Sequence, residues 1–390
     1  MKAIAPTATL GILGGGQLGR MLALEAKRMG YRVTVLDPAP GSPCGQVADE
    51  QIVAPYEDLD AVRRLGEISD VVTYEFENVD VRSVEMLERS GVRIRPGSHA
   101  LHVTQHRLRE KRFLVDAGIP VAPFAEISSG RDLAAAGERF GFPGVIKVCT
   151  GGYDGKGQTV VRTLEEAERA VAEFAGRELV WEQLVPFVKE LGIICARSES
   201  GAMVTYPVTE NIHEGNILAF SVAPAAVSEH VQARARAMAE RIAEGLEFVG
   251  AFCVEFFLLG GDQLLVNEIA PRPHNSGHYS FDACHLSQFE AQLRAVCDLP
   301  LPQPRLTSSA VMVNILGAGT GNDLLGIPEL LEDPGVVLHL YGKKHAVARR
   351  KMGHFTLLRE LGFDSAKLLK IALELRSRLT WGTRVVTSGR

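Results

Sequence analysis

The chain has no apolar run close to the ~20 residues a membrane span needs, so no bilayer-crossing helix is expected. It also lacks an excess of basic charge. Its 42 Lys and Arg against 47 Asp and Glu give a net charge of −5, the wrong sign for a chain that binds nucleic acid as a whole. Its six cysteines (Cys44, Cys149, Cys195, Cys253, Cys284 and Cys297) form no Cys-x-x-Cys, and no Cys/His pair has zinc spacing. Scattered single cysteines suit buried positions in a reducing cytoplasm, the expected location. There are no internal repeats or low-complexity segments, and the start runs into a glycine loop rather than reading as a signal peptide. The remaining composition, 46% hydrophobic and 23% charged, is ordinary for a globular protein. At 390 residues the chain is too long for one core, so two or three domains are expected.

Residues 9–97 alternate short β-rich runs (TLGIL, YRVTVLD, DEQIVAP, DVVTYEF, VRIRP) with helix-like stretches, which predicts a parallel sheet covered on both faces. His99 to Ala117 reads as one long polar helix that stops at Gly118-Ile119-Pro120. The pattern then changes to strands paired mostly antiparallel around helices, an α+β organisation, followed by a smaller tail from about residue 298.

Four stretches carry chemistry. In GGGQLGR, Gly14, Gly16 and Gly19 fit G-x-G-x-x-G between a strand and a helix, and Asp37 ends the next strand. That is the local layout of a dinucleotide site, with glycine amides and a helix N-terminus offered to an anion. In GGYDGKGQ (151–158) the loop joins two strands, and Lys156 is followed by Gly157 and Gln158, so it is not a Walker A loop. Four glycines at a hairpin tip still let backbone N–H groups approach an anion. Lys147, embedded in the apolar strand before it, needs an anionic partner unless it reaches out to solvent.

In CVEFFLLGGDQLLVNEIAP a turn centred on Gly261-Asp262, with a loop of either two or four residues, sets Leu259 opposite Leu264 and Phe257 opposite Val266. The same register puts Glu255 opposite Glu268 on one face of an otherwise apolar hairpin. Like charges so placed repel, and a hard cation resolves the repulsion. A bulge that sends one glutamate to water is the competing reading. Asn267 and the polar run APRPHNSGH adjoin the pair. Finally, GKKHAVARRKMGH clusters Lys343, Lys344, Arg349, Arg350 and Lys351 in an acidic chain. The cluster is either a solvated turn or a place for a phosphorylated small molecule.

Together, Lys147, GGYDGKGQ, EQLVP, the Glu255/Glu268 pair and NEIAPRPHNSGH resemble the ATP-grasp superfamily. GGGQLGRM and YEFENV narrow the resemblance to the N5-carboxyaminoimidazole ribonucleotide synthetase family, over residues 9 to about 355. The resemblance implies an ATP-grasp architecture, mixed α/β and α+β. A Rossmann-like pre-ATP-grasp domain would span 1–112, a small lid 113–184, and a large domain with a C-terminal subdomain 185–390. It implies ATP-dependent carboxylation of 5-aminoimidazole ribonucleotide with bicarbonate via carboxyphosphate, with Mg²⁺, by a homodimer. Another ATP-grasp ligase of purine metabolism is the nearer alternative, and an NAD-dependent oxidoreductase the more distant one.

Carried over by position, Arg107, Lys147, Gly152, Tyr153, Asp154, Gly155, Lys156, Gly157 and Gln158 would face the ATP phosphates. Glu182, Gln183, Leu184 and Val185 would line the adenine largely through backbone groups, and Glu190 would hold the ribose, with His213 nearby. Glu255 and Glu268 would hold Mg²⁺ beside Asn267. Lys147, Asp154 and Arg272 would be catalytic, Arg272 holding bicarbonate and Asp154 orienting or deprotonating the amine next to Tyr153. Gln17, Leu18, Glu75, Asn78, Arg272, Asn275, Ser276, Lys343 and Arg350 would bind the ribonucleotide. The resemblance has two gaps: Cys149 and Val347 stand where the family often has arginine.

Overall fold

The computed structural model describes residues 3–152 and 156–383. The N-terminal sheet is parallel. It contains β1 (Thr9–Leu13), β2 (Arg32–Leu36), β3 (Glu50–Ile52) and β4 (Val71–Tyr74), in the order β3-β2-β1-β4. The run VRIRP, expected as a further strand, contributes only a single parallel bridge, Ile94 to Val72. The expected long helix over 99–117 is two helices, Ser98–Thr104 and Arg107–Asp116. The break at Gln105 and His106 lets Arg107 donate its backbone N–H to the Cys149 carbonyl at 2.9 Å and starts the second helix at the cavity described below.

The second sheet is small and antiparallel. It has β5 (Phe124–Ile127), β6 (Gly144–Val148), β7 (Gln158–Val161) and β8 (Leu179–Gln183), in the order β5-β8-β6-β7. Helices 130–140 and 164–173 cover it; the second begins at Thr163, whose hydroxyl accepts from the Glu166 N–H.

The large sheet is built from β9 (Phe187–Arg197), β10 (Met203–Thr205), β11 (Thr209–Glu214), β12 (Ile217–Ala223), β13 (Gly250–Leu259), β14 (Gln263–Ala270) and β15 (Ser309–Leu316). Further along the chain, β16 (Asp323–Leu325) pairs with β19 (Thr380–Gly382) apart from it, while β17 (Val336–Leu340) and β18 (Lys351–Arg359) complete it. Its order is β14-β13-β9-β11-β12-β15-β18-β17, with β10 beside β9. Helix 229–245, capped by the Ser228 hydroxyl, packs Ala235, Met238, Ala239 and Ile242 against Ile193, Phe252 and Val254.

Helix 288–296 joins the N-terminal sheet to the large one. Its Phe289, Leu293 and Val296 are buried with Leu10, Leu22 and Val33, each worth about 1.5–3 kcal/mol of apolar burial. Polar contacts fix the same junction: the Gln292 amide donates to Thr73 Oγ1 at 2.8 Å, and the Ser287 hydroxyl to Glu25 at 2.8 Å.

Candidate active site

A cavity of about 430 Å³ lies where the three sheets meet. Its floor is the β13–β14 hairpin. The observed loop has three residues, Gly260 to Asp262, with Gly261 and Asp262 at φ 71° and 59°. It pairs Leu259 with Gln263 and Phe257 with Leu265, one residue away from the expected register. A bulge at Asn267 then restores the offset, and Glu255 does face Glu268. The bulge therefore preserves the acid pair.

The pair is under electrostatic load. Burial, and then the charge on Glu268, push the Glu255 carboxyl above its ordinary range. Arg107 Nη1 is 3.2 Å from Glu268, and His274 Nε2 is 3.6 Å from Glu255. Burial, with Arg272 nearby, pushes the His274 imidazole well down, so it is neutral and brings no compensating charge. Asn267 Oδ1 is buried and has no hydrogen-bond partner among the described residues. Two carboxylates and an orphaned amide oxygen facing one cavity fit an oxygen-preferring divalent cation.

The opposite wall comes from the small sheet. Lys147 on β6 lines the cavity, and its Nζ is 3.0 Å from Glu182. Lys111, fully buried, is 3.2 Å from the same carboxylate. Burial raises the Glu182 carboxyl, but Lys111 and Lys147 outweigh that and bring it down to about 2. The anionic partner that Lys147 requires is therefore a protein side chain. Glu110, also buried, accepts the Ile269 N–H at 3.0 Å behind Glu268, and burial together with the Glu268 charge pushes it up to about 8.

At the remaining walls, His213 Nδ1 is 3.1 Å from Glu190 Oε1, and this contact with Glu190 outweighs burial to raise the imidazole. Arg272 is paired with Glu77, whose carboxyl it draws down against burial. Leu184, Val145, Val160, Phe187, Phe257 and Leu218 give the cavity an apolar part of its lining. The Phe187 and Phe257 rings stack 4.8 Å apart. Another depression, about 620 Å³, lies over Arg359 and Asp333; it gathers none of the candidate residues.

Of the residues singled out from sequence, Asn78, Arg107, Lys147, Gly152, Lys156, Gln158, Leu184, Glu190, His213, Glu255, Asn267, Glu268, Arg272 and Asn275 line this cavity. Tyr153, Asp154 and Gly155 lie outside the described residues. The others are elsewhere. Gly157 closes the β6–β7 hairpin, its carbonyl accepting the Val148 N–H. Gln183 donates to the Phe140 carbonyl, and Val185 is buried. Ser276 has no exposure and bonds to His274 behind the wall. Leu18 packs into the N-terminal core. Gln17 accepts from Lys343 Nζ at 2.7 Å, away from the cavity lining. Arg350 is exposed, while its neighbour Lys351 lines the cavity.

The glycine corner departs most from expectation. Gly16 and Gly19 donate their amides to the Glu75 carboxylate, the second at 2.7 Å. Gly15 donates to Asp37 at 2.7 Å, and Asp37 also accepts from Ala39 N–H and Tyr56 Oη. The anion at this helix N-terminus is thus internal, and Asp37 is a loop brace rather than a ribose acceptor.

Sequence reading missed Glu77, Glu110, Lys111, Phe187 and Phe257, and it named Lys351 and His274 only as members of the basic cluster and of the polar run APRPHNSGH. A signal existed for Glu110 and Lys111. Arg107, Glu110, Lys111 and Leu114 follow i, i+3, i+4, i+7, one helix face that apolar periodicity passes over because most of its members are charged.

Three family models match the chain: the ribonucleotide synthetase preATP-grasp domain over 7–105, the ATP-grasp domain over 112–289, and the phosphoribosylaminoimidazole carboxylase C-terminal domain over 310–362. The chain is 45% identical over 361 residues to the N5-carboxyaminoimidazole ribonucleotide synthase of Bacillus subtilis (strain 168), covering 92% of this chain and 93% of that protein. It belongs to the N5-carboxyaminoimidazole ribonucleotide synthase family. Among solved structures of this family, the Staphylococcus aureus synthetase complexed with ADP matches with a TM-score of 0.90 at 39% identity, over 96% of this chain and 99% of that one. The Aspergillus clavatus synthase in complex with ADP and 5-aminoimidazole ribonucleotide matches with a TM-score of 0.88 at 33% identity, over 95% and 99%.

Proposed function

We propose a division of labour for the family reaction on this chain. The chain is an ATP-dependent ligase of purine biosynthesis that carboxylates 5-aminoimidazole ribonucleotide with bicarbonate, giving N5-carboxyaminoimidazole ribonucleotide, ADP and phosphate. The observation that carries the residue assignment is the Glu255/Glu268 pair facing Lys147 across one cavity. Mg²⁺ would be held by Glu255 and Glu268, with Asn267 Oδ1 beside them; when bound it neutralises charge on the nucleotide phosphates.

Arg107, Lys147 and the amides of the 152–158 loop hold the ATP phosphates. Glu182, clamped between two lysines, fixes where Lys147 points. The base enters the apolar slot between Leu184 and Phe257, and Glu190 accepts from the ribose with His213 oriented against it. Bicarbonate is a poor electrophile, so phosphorylation to carboxyphosphate comes first. Arg272, already paired with Glu77, steadies that anion. Asp154 orients or deprotonates the exocyclic amine, a role resting on its place in GGYDGKGQ. Lys343 and Arg350 grip the phosphate of the ribonucleotide, with Lys351, which lines the cavity, beside them.

The small sheet within 113–184 acts as a lid that keeps water from carboxyphosphate, between a substrate domain (1–112) and the large domain (185–390). The chain works as a homodimer in a reducing cytoplasm; six free thiols support the compartment, and sedimentation of the purified chain tests the dimer. The deciding experiment is ADP release with each component omitted in turn. Release must require 5-aminoimidazole ribonucleotide and bicarbonate together; ADP production independent of both sinks the assignment.

A further inference from the structure

Asp282, His339 and His354 come from three separate elements: helix Ser280–Ala283, β17 and β18. One carboxylate oxygen and one ring nitrogen of each histidine lie within 4.8 Å of one another. His339 Nε2 is 3.0 and 3.1 Å from the two Asp282 oxygens. Two ligands about 2.1 Å from one ion, at about 90–110°, lie about 3.0–3.4 Å apart, so this pair already has the spacing of neighbouring ligands.

His354 has no exposure. Its Nδ1 is 2.7 Å from Tyr341 Oη, and its Nε2 has no hydrogen-bond partner among the described residues. The tautomer that donates Nδ1–H to the tyrosine leaves a lone pair on Nε2, the way an outer group holds a ligating imidazole. Burial, with His278 and His339 nearby, keeps His354 well below the ordinary imidazole range and therefore neutral. None of the three residues lines the catalytic cavity.

We propose that Asp282, His339 and His354 form a second metal site, separate from Glu255 and Glu268, for a divalent transition ion such as Zn²⁺. Two imidazoles and a carboxylate select such ions over Mg²⁺, which prefers oxygen. The ion ties the end of the 272–282 segment to two strands of the large sheet. That segment carries Arg272 and β18 carries Lys351, so filling the site fixes two cavity walls relative to each other. Sequence spacing hides the site, because its ligands lie 57 and 15 residues apart in the chain.

The test is Co²⁺ titration of the chelator-stripped full chain in a large excess of Mg²⁺, which keeps the oxygen site filled. Visible absorption reports imidazole ligation. One Co²⁺ per chain is expected. His339→Gln and Asp282→Asn should each weaken binding by about 100-fold, and Tyr341→Phe by about 10-fold. Circular dichroism of the metal-free variants checks the fold. His339 is only partly buried, so His339→Gln decides alone should Asp282→Asn misfold. Absence of stoichiometric Co²⁺ binding, or binding unchanged in His339→Gln, overturns the proposal.

Discussion

Two corners of the molecule present the same kind of chemistry and resolve it in opposite ways. At the N-terminal glycine loop, free amides and a helix N-terminus invite an anion, and the chain supplies its own: Glu75 for Gly16 and Gly19, Asp37 for Gly15. At the β13–β14 hairpin, two carboxylates face each other and an amide oxygen is left without a partner among the described residues. The first corner is closed by internal hydrogen bonds and reads as scaffold. The second is held open at an electrostatic cost and reads as a place for something brought from outside. Substitution should separate them: changes at the first corner should act on stability, changes at the second on turnover.

The largest effect expected is at the second corner. Glu268→Gln should lower kcat by about 10³-fold or more, the size of loss seen when a group serving the transition state is removed. Its melting temperature should stay level or rise, because the repulsion with Glu255 is relieved. Steady-state ADP release with a parallel thermal melt measures both, and a variant that melts early while retaining turnover would reverse the comparison. Next in size is Glu182, on β8 in the wall opposite the second corner but built like the first. Glu182→Ala leaves Lys111 and Lys147 buried without their counter-charge, at a cost of about 3–5 kcal/mol. Urea unfolding checks this, and a loss below about 1 kcal/mol would mean the lysines find other partners.

Why the two corners differ was only partly legible in the sequence. The strand–loop–helix pattern identified the first corner, but local pattern does not reveal that Glu75, nearly sixty residues on, fills it. At the second corner, Glu255 opposite Glu268 was correctly expected through two errors that cancel. The turn is one residue shorter or longer than either loop considered, and the bulge at Asn267 takes up the difference. Alternation along a strand gives the face but not the position of a bulge, which depends on what the cavity requires. The break between helices 98–104 and 107–116 went unseen because neither Gln105 nor His106 is a breaker by type. It is held by tertiary contacts, the Gln105 amide reaching the Glu77 carbonyl at 2.5 Å. The strand 217–223 is hard to read for a different reason: it is buried along its whole length and shows no alternation.

The first corner supplies a smaller effect. Glu75→Ala strips the acceptor from two amides in a tight loop, each worth about 1–3 kcal/mol if left dry. Water can enter part of this space, so a total loss of about 2–3 kcal/mol is expected. Glu75→Gln should recover roughly half, since one carbonyl oxygen remains to accept. Equilibrium unfolding of both variants is the measurement. Equal stability of Glu75→Ala and the parent chain would show that the loop amides are satisfied without Glu75.

The smallest effect is also the most specific to the open corner. Glu255 and Glu110 both have carboxyls raised above the ordinary value, Glu110 to about 8, first by burial and then by the charge on Glu268. A raised carboxyl favours the folded state while it is protonated. Its contribution is complete below the unfolded value near 4.5 and is lost as pH rises through the folded one. Glu182, lowered to about 2, works in the other direction, losing its contribution only as pH falls below the unfolded value toward 2, so it is silent above about pH 5. Without Mg²⁺, stability should therefore decline as pH rises between about pH 5 and 8. Mg²⁺ draws Glu255 into its charged form and should flatten most of that slope; Glu110, which anchors Ile269 rather than facing the ion, should keep the rest. Melting temperatures across this range, with and without Mg²⁺, in the parent chain and in Glu110→Gln, resolve the two parts. A slope that Mg²⁺ leaves untouched would mean the carboxylate pair is a buried structural contact like the one at Glu75, and the contrast between the corners would disappear.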